Sequence, residues 1–191
     1  MPVGTLKNQF YACAMPLLGK KPAWKAGSPI SHILRGANVV GGSVCALYPD
    51  GRTETECVGE ARLYPSSVPV HADTVFRTAS IAKFATALLV LRLQTLGKLS
   101  VYEDISEALG YLVRNPLYQD QPITPYHLLS HTSGMTDTPA YFSSFSQPSA
   151  LHTLLSDGAL YAPNVPGRRL IYSNLAAGIL GAWLEGKFGA R

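Results

Sequence analysis

The chain has 191 residues, with 16 basic and 12 acidic side chains that give a formal net charge of +4. Hydrophobic residues make up 47% and charged residues 15%, a globular composition that excludes a disordered chain. The longest apolar stretch, from Phe84 to Leu91, is far shorter than the roughly 20 residues of a membrane-spanning helix. The sequence therefore predicts a folded domain with a sizeable core and no membrane span.

The N-terminal region, residues 1–38, is predicted to be a basic arm or helix. Its apolar run Phe10–Leu18 resembles the core of a secretory signal peptide, but Pro16 interrupts it and no good cleavage site follows. We expect a solvated arm, and no nucleic-acid binding, because the basic residues form no dense run and lack interleaved aromatic residues. Five basic residues precede Asp50, the first acidic residue: Lys7, Lys20, Lys21, Lys25 and Arg35.

Three cysteines, Cys13, Cys45 and Cys57, show no metal-binding or disulfide spacing. We interpret all three as buried small hydrophobic residues. No His/Cys/Asp cluster has ligand spacing, so no metal or organic cofactor is expected.

A β-hairpin is predicted at the start of the main domain, which we assign to residues 39–191. Asp50-Gly51 separates two strand-like segments, Val39–Leu47 and Thr53–Gly59. The first segment is apolar on both faces and is expected to be covered on both, whereas the second alternates and is expected to be more exposed.

Helices follow the hairpin. Ser80–Leu96 is the clearest; apolar residues surround nearly the whole helix, which predicts burial on most sides, and Gly97 terminates it. Thr124-Pro125 predicts the start of a short helix, and Ser130–Gly134 a polar loop. Further helices are predicted over Ser149–Ser156 and Ser173–Phe188.

Ser80 and Lys83 form an S-x-x-K motif at the start of the first long helix. At this spacing both side chains lie on one face, so the lysine amine can reach the serine oxygen and act as its base. Backbone N–H groups of the same helix start can hold a developing oxyanion. The alternative interpretation of Ser80 is a helix N-cap.

Tyr172-Ser173-Asn174 precedes the last helix. A tyrosine hydroxyl near the Ser–Lys pair can relay a proton to a leaving group, and a carboxamide can hydrogen-bond a substrate amide. The alternative is a capping pair, Ser173 and Asn174, with Tyr172 packed beside the helix start.

The order of these motifs resembles the serine β-lactamase-related family, which includes class C β-lactamases, penicillin-binding-protein-like D-alanyl-D-alanine peptidases and esterases. The resemblance rests on Phe76–Lys83, Leu128–Met135, and Pro166-Gly167 leading to Tyr172-Ser173-Asn174. It implies an α/β fold of the α+β type, a helical subdomain with part of an antiparallel sheet that is incomplete without C-terminal strands. It also implies that Ser80 is the acylated nucleophile, Lys83 its base partner, Tyr172 the proton relay and Asn174 a substrate-binding residue. His131 resembles the family's loop histidine, and we assign it no catalytic role.

The family also carries a third motif, Lys-Thr-Gly or a variant, and Lys187-Phe188-Gly189 does not fit it by position. We therefore expect the chain to be an N-terminal portion of a family member, truncated before this motif. Val39–Leu47 would then be an unprotected sheet edge, and the Ser80–Leu96 helix would lose cover on one side. A C-terminal complementing segment or a homo-oligomer could supply the missing contacts.

The resemblance implies a serine hydrolase acting on a small-molecule or peptide substrate: a D-Ala-D-Ala-like amide, a β-lactam or a small ester. The alternative is a non-catalytic binding module that keeps the fold. A serine-type glutaminase also uses an S-x-x-K motif, but the Ser-His-Thr-Ser-Gly loop points away from it.

Overall fold

The computed structural model describes residues 29–37, 39–146 and 150–189. The chain divides into two compact units, the first ending at Arg77 and the second beginning at Thr78. Of the predicted basic arm, the structure describes helix α1, Pro29–Gly36, and the residue that follows it. The signal-like run Phe10–Leu18 and Cys13 lie outside the described residues.

The first unit contains a three-stranded antiparallel sheet in the order β1–β2–β3. The predicted Asp50-Gly51 hairpin is confirmed, because Gly51 has a φ of +84°, a left-handed conformation that suits glycine. Tyr48 and Arg52 close the turn with a backbone hydrogen bond of 2.9 Å. The strands are β1 (Gly41–Leu47), β2 (Thr53–Arg62) and β3 (Val68–Pro69).

The two hairpin strands do not show the burial that their apolar patterns predict, but β1 is an exposed edge strand, as expected without the third-motif region. β1 is exposed from Ser43 to Leu47, whereas β2 buries Val58, Gly59 and Glu60. Among the described strands β1 lies at the edge of the sheet and β2 at its centre, where α1 also packs on β2. An apolar strand pattern indicates which faces of a strand can be covered. The neighbouring elements decide which of these faces are covered in the folded protein.

The predicted burial of the cysteines is wrong for Cys45, which is exposed, and only partly met by Cys57, which is half-buried. Both thiols are free. Cys57 pairs with Ser43 across the hairpin, and the sulfur and hydroxyl oxygen lie 3.6 Å apart.

The second unit is helical, and its last helix is central. This helix, α7, packs against α3 and α4, and its buried residues are Leu175, Ala176, Ile179, Leu180 and Trp183. Gly186 permits the close approach to α3, because a Cβ atom there would lie 2.2 Å from the carbonyl oxygen of Ala108. The α-helices are α2 (Ile81–Thr95), α3 (Ile105–Leu109), α4 (Pro125–Leu129), α5 (Pro139–Ser143), α6 (Leu151–Leu155) and α7 (Asn174–Phe188).

Helix α2 has the predicted extent to within one residue at each end, and Gly97 terminates it with a φ of +68°. Its apolar pattern alone predicts burial on most sides, which is not observed, whereas the loss of cover expected without the third-motif region is observed. Val90 is its buried residue and Leu93 packs partly against the core, whereas large apolar side chains on the other faces are exposed. These exposed residues are Ile81, Phe84, Leu88, Leu89 and Leu91.

Local capping signals identify the shorter helices well. Thr124 caps α4 ahead of Pro125, as predicted, and the His127 side chain completes a capping box by accepting the Thr124 N–H at 3.3 Å. Helix α6 lies within the predicted range, whose first residue, Ser149, is outside the described residues. Among the described helices, none is long and apolar enough to cross a lipid bilayer.

Candidate active site

Ser80 and Lys83 lie on the first turn of α2, as their spacing predicts. The Lys83 amine donates to the Ser80 hydroxyl oxygen at 3.3 Å. Ser80 occupies the N-cap position of α2, as its alternative interpretation expects, but its side chain makes no capping hydrogen bond. Ala79, immediately before it, has a φ of +46°, a left-handed conformation that costs a non-glycine residue energy.

The first turn of α2 uses most of its backbone donors internally. The N–H groups of Ile81, Ala82 and Lys83 each donate to a carbonyl oxygen three residues earlier, at 3.0–3.1 Å. The turn was expected to offer several N–H groups to an oxyanion. Among the backbone hydrogen bonds of the described residues, none is donated by the Ser80 N–H.

Tyr172 brings its hydroxyl group to the Ser80 hydroxyl, with the two oxygen atoms 2.7 Å apart. The polar interaction of the phenol with Lys83, followed by its hydrogen bond with Ser80, lowers the pKa of Tyr172. The Lys83 nitrogen also lies 5.2 Å from the centre of the tyrosine ring. A phenol with a lowered pKa exchanges protons more readily near neutral pH.

His131 holds the backbone around Tyr172, a role for which sequence reasoning found no signal. Its ring lies against the tyrosine ring at 4.4 Å between centroids. Its carbonyl oxygen accepts the Ile171 N–H at 2.7 Å, and its Nδ1 accepts the Ser173 N–H at 3.3 Å. Burial is the largest effect that lowers the pKa of His131, and the charge of Lys83 lowers it further, whereas Asp137 raises it. The net lowering of the pKa favours the neutral ring, which this acceptor role requires.

Asn174 connects Lys83 to a carboxylate behind it. Its carbonyl oxygen Oδ1 accepts from the Lys83 amine at 2.8 Å, and its Nδ2 donates to Asp137 Oδ2 at 2.7 Å. The four residues predicted from sequence, Ser80, Lys83, Tyr172 and Asn174, are therefore joined by hydrogen bonds. Ser173 caps α7 by accepting the Ala176 N–H, so the capping interpretation of this residue is also right.

Asp137 is the polar residue that sequence reasoning missed. Its carboxylate accepts from the Ser173 hydroxyl and from the backbone N–H groups of Asn174 and Leu175, at 2.7–3.0 Å. Burial opposes its ionisation, but these hydrogen bonds outweigh that effect and lower the pKa of Asp137. Its hydrogen-bond partners lie 36–38 positions later in the chain. The residues next to Asp137 in the sequence do not distinguish it from an aspartate in an ordinary turn.

The family model described as Beta-lactamase matches residues 30–191. This chain belongs to the Beta-lactamase family. The resemblance inferred from the motif order is thereby confirmed.

Relatives of this Beta-lactamase family member include hydrolases. Esterase EstB of Burkholderia gladioli is 38% identical over 68 residues, which are 35% of this chain and 17% of that protein. The solved structure of EstCE1, "a hydrolase with promiscuous acyltransferase activity", is 25% identical with a TM-score of 0.68, covering 96% of this chain and 49% of that one. The β-lactamase/D-alanine carboxypeptidase from Yersinia pestis is also 25% identical, with a TM-score of 0.65 over 83% of this chain and 46% of that one.

These structures confirm the predicted α+β fold, that of β-lactamases and penicillin-binding proteins. The chain spans about half the length of the solved structures and a smaller share of EstB.

A cavity of about 300 Å³ adjoins the Ser–Lys pair of this family member, between α2, α4 and α7. Lys83 and His131 contribute its polar edge. Small side chains make up much of its wall, which includes Ala82, Ala87, Ala177 and Gly178.

Proposed function

We propose that this Beta-lactamase family member is a serine hydrolase that works through an acyl-enzyme on Ser80. The observation that carries the proposal is the position of the Ser80 oxygen, which is hydrogen-bonded both to the Tyr172 hydroxyl and to the Lys83 amine. A serine becomes a nucleophile when a neighbouring base can take its proton, and here two such groups are in contact with it.

The proposed reaction has two acyl-transfer steps. The Ser80 oxygen attacks the substrate carbonyl carbon, and its proton passes to the lone pair of the Lys83 amine nitrogen. The bond between the carbonyl carbon and the leaving nitrogen or oxygen then breaks. As it breaks, Lys83 returns the proton through Tyr172 to the leaving atom. Water then attacks the ester on Ser80, gives its proton to the same pair of residues, and releases the acid while Ser80 recovers its proton.

A small ester or a D-Ala-D-Ala-like amide is the proposed substrate class, ahead of efficient turnover of a β-lactam. The sequence similarity to an esterase supports the ester, as does the likeness to a hydrolase with acyltransferase activity. The cavity beside Lys83, at about 300 Å³, is of a size that suits a small ligand.

The test uses the complete protein with three substrates: p-nitrophenyl acetate, a D-Ala-D-Ala peptide and nitrocefin. We expect turnover of the ester or the peptide that is lost in Ser80→Ala. Absence of turnover and of any covalent adduct, with a thermal shift produced by the same ligands, would instead identify a β-lactamase-like binding module. Ammonia release from glutamine would revive the glutaminase interpretation.

A further inference from the structure

We infer that Asp137 is a positioning residue that fixes the Asn174 amide so that its carbonyl oxygen faces Lys83, and thereby sets the acylation rate of Ser80. The effect on rate rests on the proposed function, whereas the orientation of the amide does not. Among the described residues, Asp137 makes no hydrogen bond to Ser80 or Lys83. It acts on Lys83 through the Asn174 side chain.

The contacts of the carboxylate define the orientation. Oδ1 accepts from the Ser173 hydroxyl at 2.7 Å and from the backbone N–H groups of Asn174 and Leu175 at 2.8 and 3.0 Å. Oδ2 accepts the Asn174 N–H at 2.9 Å and the Asn174 side-chain Nδ2 at 2.7 Å. An ionised carboxylate can only accept, so the group it holds at Oδ2 must be the NH₂ end of the Asn174 amide.

Fixing the NH₂ end of Asn174 also fixes the other end of the amide. With Nδ2 on Asp137, the carbonyl oxygen Oδ1 points at the Lys83 amine, 2.8 Å away, and this amine in turn contacts Ser80. A reversed amide would set its oxygen against the carboxylate and its NH₂ group against the lysine donor. Both new contacts would pair like groups, so the carboxylate selects one orientation.

Helix capping alone does not account for this arrangement. The backbone contacts of Asp137 and the Ser173 hydroxyl already satisfy the N–H groups of Asn174, Leu175 and Ala176 at the start of α7. The contact with the Asn174 side chain adds nothing to the cap. Its structural consequence is the direction of the amide that holds Lys83.

Replacement by asparagine tests this direction. In Asp137→Asn the new oxygen can still accept from the backbone N–H groups, which places the new NH₂ group opposite Asn174 Nδ2. Two donors would then face each other, and the Asn174 amide is expected to turn and lose its contact with Lys83. Loss of the hydrogen bond that positions the Lys83 amine corresponds to an acylation rate about 10-fold lower.

The measurement is the burst of p-nitrophenolate released from p-nitrophenyl acetate by the complete protein. Its amplitude reports the fraction of folded, competent molecules, and its rate reports acylation. We expect Asp137→Asn to keep the amplitude and slow the burst. Asp157→Asn is the matched control, because Asp157 caps the Gly158–Leu160 turn through the Ala159 N–H at 2.9 Å, and its burst should match that of the wild type.

A double-mutant cycle with Asn174→Ala separates positioning from a general loss of structure. If Asp137 acts through Asn174, adding Asp137→Asn to the Asn174→Ala variant should lower the burst rate by less than about threefold. If Asp137 has only a structural role, the substitution should lower the burst rate of this variant as much as it lowers that of the wild type. Asp137→Glu, whose carboxylate can also only accept, is the conservative variant and should keep more of the burst rate than Asp137→Asn. Should Asp137→Asn not fold, Asn174→Ala alone should slow the burst, because it removes the contact with Lys83.

The side-chain amide resonance of Asn174 in ¹H–¹⁵N spectra gives a readout that does not need catalysis. We expect Asp137→Asn to move this resonance and Asp157→Asn to leave it in place. A wild-type protein that gives no burst and turns over none of the three substrates would refute the proposed function, and the resonance would then decide the inference. An unchanged resonance, an unchanged burst rate, or full additivity in the cycle would each overturn the inference.

Discussion

The Ser80 and Tyr172 hydroxyl groups lie 2.7 Å apart although 92 positions separate them in the chain. The contact depends on the His131 loop, whose backbone and ring hold the segment that carries Tyr172. The chemistry proposed for this protein follows from that contact, because it links the nucleophile to a group able to relay its proton.

Replacing Tyr172 by phenylalanine is expected to slow acylation of Ser80 by about 100-fold or more, since it removes one proton-transfer group. The ring contact with His131 should persist, and the side chain is 50% exposed. The free energy of unfolding should therefore change by less than about 1 kcal/mol. Burst kinetics and urea denaturation of the same samples check both expectations.

Tyr102→Phe is the control for this substitution, because Tyr102 is 68% exposed and its ring lies against Tyr126 rather than the Ser–Lys pair. It should leave the burst unchanged. A Tyr172→Phe variant that acylates as fast as the Tyr102→Phe variant would remove Tyr172 from the mechanism.

The Asp137 carboxylate is expected to make stability depend on acid pH. Its pKa in the folded protein is below the ordinary value of 3.8, so ionised Asp137 stabilises the fold fully above that value. This stabilisation is lost as the pH falls below 3.8 and through the lower folded pKa. We therefore expect the wild type to be more stable than Asp137→Asn near neutral pH.

That stability difference should shrink as the pH falls from about 4 towards 2. Urea denaturation of the two proteins across this range is the measurement, and comparing the pair isolates Asp137 from the other carboxylates. A difference that stays constant over the whole range would contradict the lowered pKa.

Two glycines of α7 provide a matched test of its packing. A Cβ atom added at Gly186 would lie 2.2 Å from the Ala108 carbonyl oxygen. A Cβ atom added at Gly181 would have open space around it among the described residues, with no neighbouring element within 4 Å. Gly181→Ala should stabilise the protein by up to about 1 kcal/mol through helix propensity. Gly186→Ala should instead destabilise it by about 1–3 kcal/mol, because the backbone of α3 must move.

Urea denaturation of both variants decides this point. Equal stabilisation by the two alanines would show that α3 and α7 do not approach each other at Gly186.

Local signals were enough to predict the turns, caps and helix ends. Asp50-Gly51, Thr124-Pro125 and Gly97 each act within a few residues, so their conformations follow from their own chemistry. The Ser80–Lys83 contact was predictable for the same reason, since positions three apart in a helix are neighbours. Tyr172 and Asn174 were linked to that pair by the family resemblance rather than by local pattern.

Burial and long-range polar contacts were not predictable in this way. Apolar residues surround α2, yet the pattern cannot tell which of its faces find a neighbour, and Phe84 and Leu88 are exposed. Asp137 and His131 contact Ser173 from 36 and 42 positions away, and no spacing in a single sequence signals such a contact. The contacts of these two residues are visible only in the folded structure.

The most direct test of the account is intact-mass analysis of the complete protein after brief exposure to p-nitrophenyl acetate or benzylpenicillin, followed by peptide mapping. The account predicts one added acyl group, located on Ser80, that Ser80→Ala abolishes. Ser156→Ala is the control, because the Ser156 hydroxyl donates to the Thr153 carbonyl oxygen in the α6 segment and should not be acylated. An adduct that survives in Ser80→Ala, or no adduct on the wild type with either reagent, would contradict the account.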